Sequence, residues 1–174
     1  KIAKKYNFIV IEDAAQGVMS FYKGKALGSI GDLGCYSFHE TKNITSGEGG
    51  ALLINNDRFL ERAEFIREKG TNRSLFNKGQ VNKYTWVDIG SSFLPGELTA
   101  AFLLAQMEYA EKITKERCEI WNYYQNGLKD FHEERIISIP KSQQNRQHNG
   151  HIFYLIHKSM NERDLFIEKM KSKG

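Results

Sequence analysis

The length, composition and charge of the chain indicate a folded protein and exclude several classes. Of the 174 residues, 40% are hydrophobic, and 25 basic against 21 acidic residues give a net charge of +4. Charges of both signs are interleaved along the chain, whereas a nucleic-acid-binding protein concentrates basic residues on one face. We therefore expect no nucleic-acid partner. The sequence also has no apolar run long enough to span a bilayer, so we expect no membrane association.

The cysteines and the chain ends lead to two further expectations, one about the redox state of the thiols and one about the extent of the protein. Cys35 lies in a predicted strand and Cys118 in a predicted helix. Two isolated cysteines do not make a disulfide framework, and they indicate reduced thiols in a cytoplasmic protein. Lys1 opens within a helical pattern and Gly174 directly follows another. We expect this chain to be an internal part of a longer protein.

The first half of the chain predicts alternating strands and helices. Residues 8–11 form a continuous apolar run, which is typical of a strand buried on both faces of a parallel sheet. Two more strands are predicted at residues 33–39 and 51–54. A helix should follow, with Asp57 as its N-cap and Gly70 just beyond its C-terminal end. This order predicts an α/β fold.

A polar stretch and a long helical pattern come next. Residues 71–90 show no periodicity, and a loop of this length in a compact domain is usually functional or an interface. An apolar stripe then runs from about residue 97 to residue 130. As a single helix it would be about 50 Å long, too long for one small core. It either bridges two domains or breaks once.

The end of the chain predicts a second, smaller domain. Strands are expected at residues 136–139 and 152–156, on either side of a polar loop, and a helix at residues 163–173. A long helix followed by two strands and a helix is typical of an α+β unit. We therefore divide the chain into residues 1–107 and 108–174.

Two residues suggest the chemistry of a bound cofactor. Asp13 closes the first strand, and ligands of open α/β sheets bind beyond the carboxyl ends of strands. Lys42 directly follows the second strand. In pyridoxal phosphate (PLP) enzymes a lysine holds the cofactor aldehyde as a Schiff base, and a carboxylate keeps the ring nitrogen protonated. The alternatives are that Asp13 caps a helix over residues 14–18 and that Lys42 is a surface lysine.

Two polar residues nearby fit the same hypothesis. Gln16 follows Asp13 by three residues, so in a helix both would share a face, and its amide could donate to the phenolic oxygen of the cofactor. The alternative is a solvated glutamine. Ser37 precedes Lys42 by five residues and could reach a phosphate oxygen, while the glycines at residues 47–50 would let the backbone approach closely.

The histidines offer weaker candidates. His39 could position a substrate or simply pack in the interior. His148 and His151 have the i,i+3 spacing of a metal pair, but no third ligand with suitable spacing is evident. We therefore expect no metal site.

Four blocks of sequence resemble one family. In order and spacing, residues 12–16, 28–32, 37–43 and 47–50 are similar to the sugar aminotransferases of the DegT/DnrJ/EryC1/StrS family. Residues 67–92 favour the branch of the family that acts on dTDP-linked sugars. The related sugar dehydratases carry histidine in place of the lysine, so Lys42 argues against them.

The resemblance implies a fold, a cofactor and a reaction. The fold would be that of fold-type-I PLP-dependent transferases, an aspartate aminotransferase-like, mostly parallel sheet with helices on both faces. Residues 1–107 would be the C-terminal half of its PLP-binding large domain, and residues 108–174 the beginning of the small one. One substrate would be a nucleotide-linked 4-keto-6-deoxy sugar, namely dTDP-4-dehydro-6-deoxyglucose. The other would be L-glutamate, the amino donor.

The resemblance also implies residue roles. Lys42 matches the Schiff-base lysine, Asp13 the ring-nitrogen aspartate, Gln16 the partner of the phenolic oxygen and Ser37 a phosphate-binding serine. Ser92 takes the place of an asparagine that reaches the phosphate of a neighbouring subunit, in a homodimer or dimer of dimers with sites at the interface. Two alternatives remain open: another PLP-dependent reaction on the same scaffold, and a non-catalytic regulatory or binding protein with this fold.

Overall fold

The computed structural model describes residues 1–141 and 143–174, and its main element is a mixed sheet. After a short helix, α1 (Ile2–Tyr6), the strands β1 (Ile11–Asp13), β4 (Leu33–Ser37) and β5 (Gly50–Ile54) lie side by side in that order. β1 runs parallel to β4, and β5 runs antiparallel to β4. The three strands predicted from the sequence are therefore present, within a few residues of their expected bounds.

The first strand differs from its prediction in burial. Of the apolar run at residues 8–11 only Ile11 belongs to β1, and Ile11 is 63% exposed. The expectation of a strand buried on both faces is wrong for the described residues, because β4 is the single neighbour of β1 among them. β1 is an edge strand here.

A carboxylate on β1 holds the turn-like block at residues 28–32. The backbone N–H groups of Gly28, Ile30 and Gly31 donate to the Glu12 carboxylate at 3.0, 2.5 and 2.6 Å. Gly34 lets this loop approach β4, because a Cβ there would lie 2.1 Å from the Gly28 carbonyl oxygen. One of the blocks that resemble the family is therefore part of the scaffold.

The helix after β5 begins with a tighter turn than expected. A 3₁₀ turn, Asp57–Phe59, leads into α2 (Leu60–Arg67). The predicted N-cap, Asp57, is wrong by one residue, since it is the Asn56 side chain that accepts a hydrogen bond from the Arg58 N–H at 3.3 Å. Gly70 adopts a φ of +75°, as expected of a glycine that follows a helix.

Residues 71–90 are more ordered than the sequence predicts. They contain a helix, α3 (Arg73–Asn77), and a β-bridge between Thr71 and Trp86. A Cβ at Gly70 would lie 1.9 Å from the Asp88 carbonyl oxygen, so the segment folds back closely onto the end of α2. The expectation of a structureless loop is wrong because its contacts are non-local and leave no periodic pattern.

The long helical pattern is not one helix and breaks twice, at Tyr109 and at Leu128, where the sequence predicted at most one break. The helices are α4 (Glu97–Glu108), α5 (Ala110–Gly127) and α6 (Lys129–Glu133). Tyr109, with φ of −103° and ψ of 8°, separates the first two. Ala110 packs with Val18, Phe38 and Ile44 in a buried hydrophobic cluster. The break at Tyr109 therefore lets α5 contact the loop that follows β4.

The remaining strands are short. β2 (Phe21–Tyr22) pairs with β3 (Lys25–Ala26) and with β7 (Arg146–Gln147), while β6 (Ile137–Ser138) pairs with β8 (Ile156–His157). The final helix is α7 (Met160–Ser172). Strands and helix lie near their predicted positions, and β7 is an unpredicted strand in the polar loop. No helix of the described residues combines the length and hydropathy that a membrane crossing requires.

Candidate active site

The carboxyl ends of β1 and β4 place two predicted site residues together. Asp13 is the last residue of β1 and lies opposite Cys35 of β4. Ser37, the last residue of β4, lies two positions further along, about 7 Å at the rise of a strand. Residues in register, or two apart, point to the same face of a sheet. Asp13 and Ser37 therefore share one face at one edge.

The opposite face carries Glu12 and Tyr36. Glu12 is bound to the loop at residues 28–31, and the Tyr36 hydroxyl donates to the Leu27 carbonyl oxygen at 2.6 Å. Burial, and then the negative charge of Glu12, raise the pKa of Tyr36. Adjacent residues of a strand thus take separate roles, with the scaffold on one face and the candidate site on the other.

Lys42 lies on a loop that is anchored on both sides. Phe38 and Ile44 are buried, with 7% and 1% of their surface exposed, and pack in the same cluster. Backbone bonds from the Lys42 N–H to the His39 carbonyl and from the Ser46 N–H to the Phe38 carbonyl close the loop. Among the described residues, the half-buried Lys42 side chain makes no ion pair or hydrogen bond.

The segment after Asp13 is a turn, which corrects the expected helix over residues 14–18. The Ala15 N–H donates to Asp13 Oδ1 at 3.1 Å, and this bond orients the carboxylate. Because there is no helix here, Asp13 and Gln16 do not share a helical face. Both are exposed, and the alternative that Asp13 caps a helix is wrong.

Ser37 and the glycine-rich turn are the groups that the sequence predicts to meet a phosphate. The Ser37 hydroxyl accepts a hydrogen bond from the His39 N–H at 3.3 Å, so its own proton can be donated elsewhere. Gly47 and Gly49 have φ of +81° and +136°, conformations that glycine adopts without strain. Ser92 instead lies on a segment that bridges to Glu68, beyond α2.

Three residues that the sequence analysis did not assign to the site connect its parts. Asn43 Nδ2 donates to the Asn149 carbonyl oxygen at 2.8 Å, and His151 Nδ1 lies 2.7 Å from Asn43 Oδ1. Asn149 Nδ2 donates to the Gln16 carbonyl oxygen at 2.8 Å. The Lys42 loop and the turn that carries Gln16 are therefore joined through residues more than 100 positions away.

A cleft of about 640 Å³ opens beside Gln16. Arg146, His148 and His151 line it together with the indole of Trp121, and none of its described lining residues is an aspartate or glutamate. The His148 ring packs on Trp121 with 4.2 Å between ring centroids. The described lining residues are therefore cationic or neutral and suit an anionic ligand.

The Nδ1 atoms of His148 and His151, whose i,i+3 spacing resembles a metal pair, each have a different partner within the chain. His148 Nδ1 accepts a hydrogen bond from the Gly150 N–H at 3.1 Å, whereas His151 Nδ1 faces Asn43. Residues 1–141 and 143–174 contain no group of three histidine, cysteine, aspartate or glutamate side chains arranged to hold a metal ion.

The donor set of this edge fits PLP. A carboxylate and a hydroxyl whose proton is available lie at the ends of the neighbouring strands β1 and β4. An amine with no ionic partner among the described residues lies on the loop after β4, beside a glycine-rich turn. These groups match a pyridine nitrogen, a phosphate and an aldehyde in turn.

Comparisons with known proteins show the family and the fold of the chain. GDP-perosamine synthase of Escherichia coli O157:H7 is 37% identical over 141 residues, which cover 77% of this chain and 36% of that protein. A UDP-4-amino-4,6-dideoxy-N-acetyl-beta-L-altrosamine transaminase of Campylobacter jejuni is 29% identical, covering 89% of this chain and 39% of that protein. The chain spans less than half the length of these curated relatives.

A solved structure shares the fold. The PLP form of the sugar aminotransferase Spr1654 from Streptococcus pneumoniae superposes with a TM-score of 0.80 at 21% identity, covering 99% of this chain and 44% of that one. The predicted fold-type-I architecture is confirmed. The family model for DegT/DnrJ/EryC1/StrS aminotransferases matches residues 1–174. On this match, and on the residues assembled at the sheet edge, the chain is a member of the DegT/DnrJ/EryC1/StrS aminotransferase family.

Proposed function

We propose that the protein carrying this chain is a PLP-dependent aminotransferase of a nucleotide-linked 4-keto-6-deoxy sugar, with L-glutamate as the amino donor. The supporting observation is that Asp13 and Ser37 share one face and edge of the sheet, next to the anchored loop of Lys42. When bound, PLP would supply an electron sink for the electrons released at the substrate carbon.

Each side chain has a definite task in this proposal. Lys42 would hold the cofactor through its amine, and the same amine would serve as the base that carries a proton to and from the substrate carbon. Asp13 stabilises the proton on the ring nitrogen. Ser37 donates to the phosphate, and Gln16 lies where it could meet the phenolic oxygen.

The substrate is argued from charge and from sequence blocks. The cleft beside Gln16 has no carboxylate among its described lining residues, which favours a diphosphate-linked sugar. Residues 38–43, 67–74 and 83–92 resemble the transaminases that form dTDP-4-amino-4,6-dideoxygalactose for enterobacterial common antigen. We therefore propose dTDP-4-dehydro-6-deoxyglucose as the sugar and polysaccharide biosynthesis as the process.

Three features of the whole protein belong to the same proposal. It would act in the cytoplasm, as a homodimer or dimer of dimers that completes each site at the subunit interface. Residues 1–107 would be part of the PLP-binding domain, and residues 108–174 the beginning of the small domain. Packing of Ala110 against Phe38 supports a close contact between these two parts.

Borohydride reduction after incubation with PLP, followed by peptide mass mapping, tests the proposal. We expect a pyridoxyl adduct on Lys42 and transfer of nitrogen from glutamate to the dTDP sugar. Lys42→Ala should abolish both, while Lys25→Ala, on the exposed strand β3, should leave both unchanged. An adduct on another lysine, or wild-type transfer by Lys42→Ala, would refute the assignment. Bound cofactor without transfer would support the non-catalytic alternative, and aldol cleavage or elimination without transfer would support another PLP reaction.

A further inference from the structure

The residue that follows Lys42 is buried and doubly bonded to a distant segment. Asn43 is only 9% exposed. Its amide nitrogen donates to the Asn149 carbonyl oxygen at 2.8 Å, and its amide oxygen faces His151 Nδ1 at 2.7 Å. A buried amide with both of its ends occupied has a fixed orientation. The Lys42 loop is thereby tied to residues 149–151.

This orientation determines the tautomer of His151. Because Asn43 Nδ2 is the donor to Asn149, the atom that faces the imidazole is the acceptor Oδ1. His151 Nδ1 must therefore carry a proton, and in the neutral ring the lone pair lies on Nε2. Burial, and then the positive charges of Arg117 and Lys42, lower the pKa of His151, which favours the neutral ring at neutral pH.

The same segment also holds the turn after Asp13. Asn149 is 4% exposed, and its Nδ2 donates to the carbonyl oxygens of Gln16 and Val18, each at 2.8 Å. The path of the segment is narrow, since a Cβ at Gly150 would lie 2.7 Å from the Arg117 carbonyl carbon. Residues 149–151 thus contact both the aspartate turn and the lysine loop.

We propose that His151, in the neutral tautomer with the proton on Nδ1, is a positioning residue that holds Asn43 and thereby sets the Lys42 amine relative to Asp13. This inference rests on the proposed function, in which Lys42 binds PLP and its position relative to Asp13 therefore matters. It assigns to His151 no contact with the cofactor or the sugar. Its effect should appear in the attachment of the cofactor as well as in turnover.

Two substitutions of similar shape separate the hydrogen bond from the volume of the ring. His151→Asn can place an amide donor near the position of Nδ1, whereas His151→Leu has a similar branched shape and no donor. His157→Leu is the control, since the His157 ring packs on Phe166 and lies in a different pair of strands. The purified whole protein is stripped of PLP and reloaded, and the rate of borohydride-trapped adduct formation at Lys42 is followed by peptide mapping.

We expect His151→Leu to form the Lys42 adduct at least about tenfold more slowly than the wild type, and to lose kcat more than it raises KM. His151→Asn should recover adduct formation to within about threefold of the wild type, and His157→Leu should match the wild type. Melting temperatures are measured alongside. Equal rates of adduct formation in wild type, His151→Leu and His151→Asn would overturn the inference. A His151→Asn variant that is folded but forms the adduct as slowly as His151→Leu would overturn it as well.

A second measurement needs no variant and no cofactor. The ¹⁵N shifts of the His151 ring in the cofactor-free protein report which nitrogen carries the proton. The Nδ1–H form supports the inference, and the Nε2–H form overturns it even if His151→Leu does not fold. A wild-type protein that forms no adduct at Lys42 would instead refute the proposed function, so the two failures are distinguishable.

Discussion

The Glu12 carboxylate accepts the backbone N–H of Gly31 at 2.6 Å, on the face of β1 opposite to Asp13. Strand alternation gives two neighbouring acidic residues different surroundings. Burial raises the pKa of Glu12, but the N–H groups of Gly31, Gly28 and Ile30 outweigh it and lower the pKa below its usual value of 4.5. The carboxylate that is part of the scaffold and the one proposed to bind the cofactor are thus one residue apart.

Replacing Glu12 by glutamine should destabilise the fold without touching the candidate site. Hydrogen bonds to a charged acceptor contribute more than those to a neutral one, so we expect the free energy of unfolding at pH 7 to fall by about 2 kcal/mol. Because the folded-state pKa is lowered, this stabilisation is present above pH 4.5 and lost as the pH falls through the folded-state pKa. Urea unfolding of Glu12→Gln and wild type at several pH values measures it. Glu61→Gln on α2 is the control, and a constant difference down to pH 3 would contradict the prediction.

Gly34 should tolerate no side chain. A Cβ at this position would meet the Gly28 carbonyl oxygen at 2.1 Å, and backbone cannot move away without breaking the bonds to Glu12. We expect Gly34→Ala to reduce the free energy of unfolding by more than about 3 kcal/mol. Gly127→Ala is a matched control, because outside its chain neighbours and its own helix backbone no atom lies within 4 Å of its added Cβ. Since alanine favours helix, that variant at the end of α5 should be about 0.5–1 kcal/mol more stable. Thermal unfolding of both variants is the measurement. Equal destabilisation of the two would contradict the prediction that the close contact with Gly28 excludes a side chain at Gly34.

Arg146 should affect the sugar substrate more than the amino donor. It lines the cleft beside Gln16, where the described lining residues include no acidic side chain. We expect Arg146→Ala to raise the KM for the nucleotide sugar by about tenfold with little change in kcat, because a lost phosphate contact weakens ground state and transition state alike. Steady-state kinetics with each substrate varied in turn is the measurement. Arg163→Ala, whose guanidinium pairs with Asp164, is the control. An equal rise in the KM for glutamate would place the diphosphate elsewhere.

The pKa of His151 predicts a second pH dependence of stability. Burial, and then Arg117 and Lys42, lower this pKa below 6.5, so the unfolded chain binds a proton more readily than the folded one. The free energy of unfolding should therefore decrease as the pH falls from 6.5 towards the folded-state pKa. His151→Asn removes the titrating ring, so its unfolding free energy should depend less on pH in this window. Parallel curves for wild type and variant between pH 7.5 and 5.5 would show that His151 does not titrate there.

Much of the candidate site is readable from local sequence. Asp13 and Ser37 each end a strand and Lys42 lies on the loop after one, so their positions suggested a candidate site at the carboxyl ends of the strands. The resemblance to the family supplied their predicted roles. The helix expected after Asp13 was wrong because the turn is held by Asn149, a residue 131 positions beyond Val18. Helix propensity depends on neighbouring residues only, so it cannot reveal a hydrogen-bond partner so distant in the sequence.

The sequence by itself determined the family, the α/β order of elements and the residues that suit a PLP site, since each of these depends on short spacings along the chain. Only the tertiary structure decided what holds the site together. Asn43 meets Asn149 and His151 across 106 and 108 positions, and Glu12 meets Gly31 across 19. Hydrogen bonds between distant segments depend on how the loops return to the sheet. Asparagine and histidine carry no periodic signal that would reveal this path.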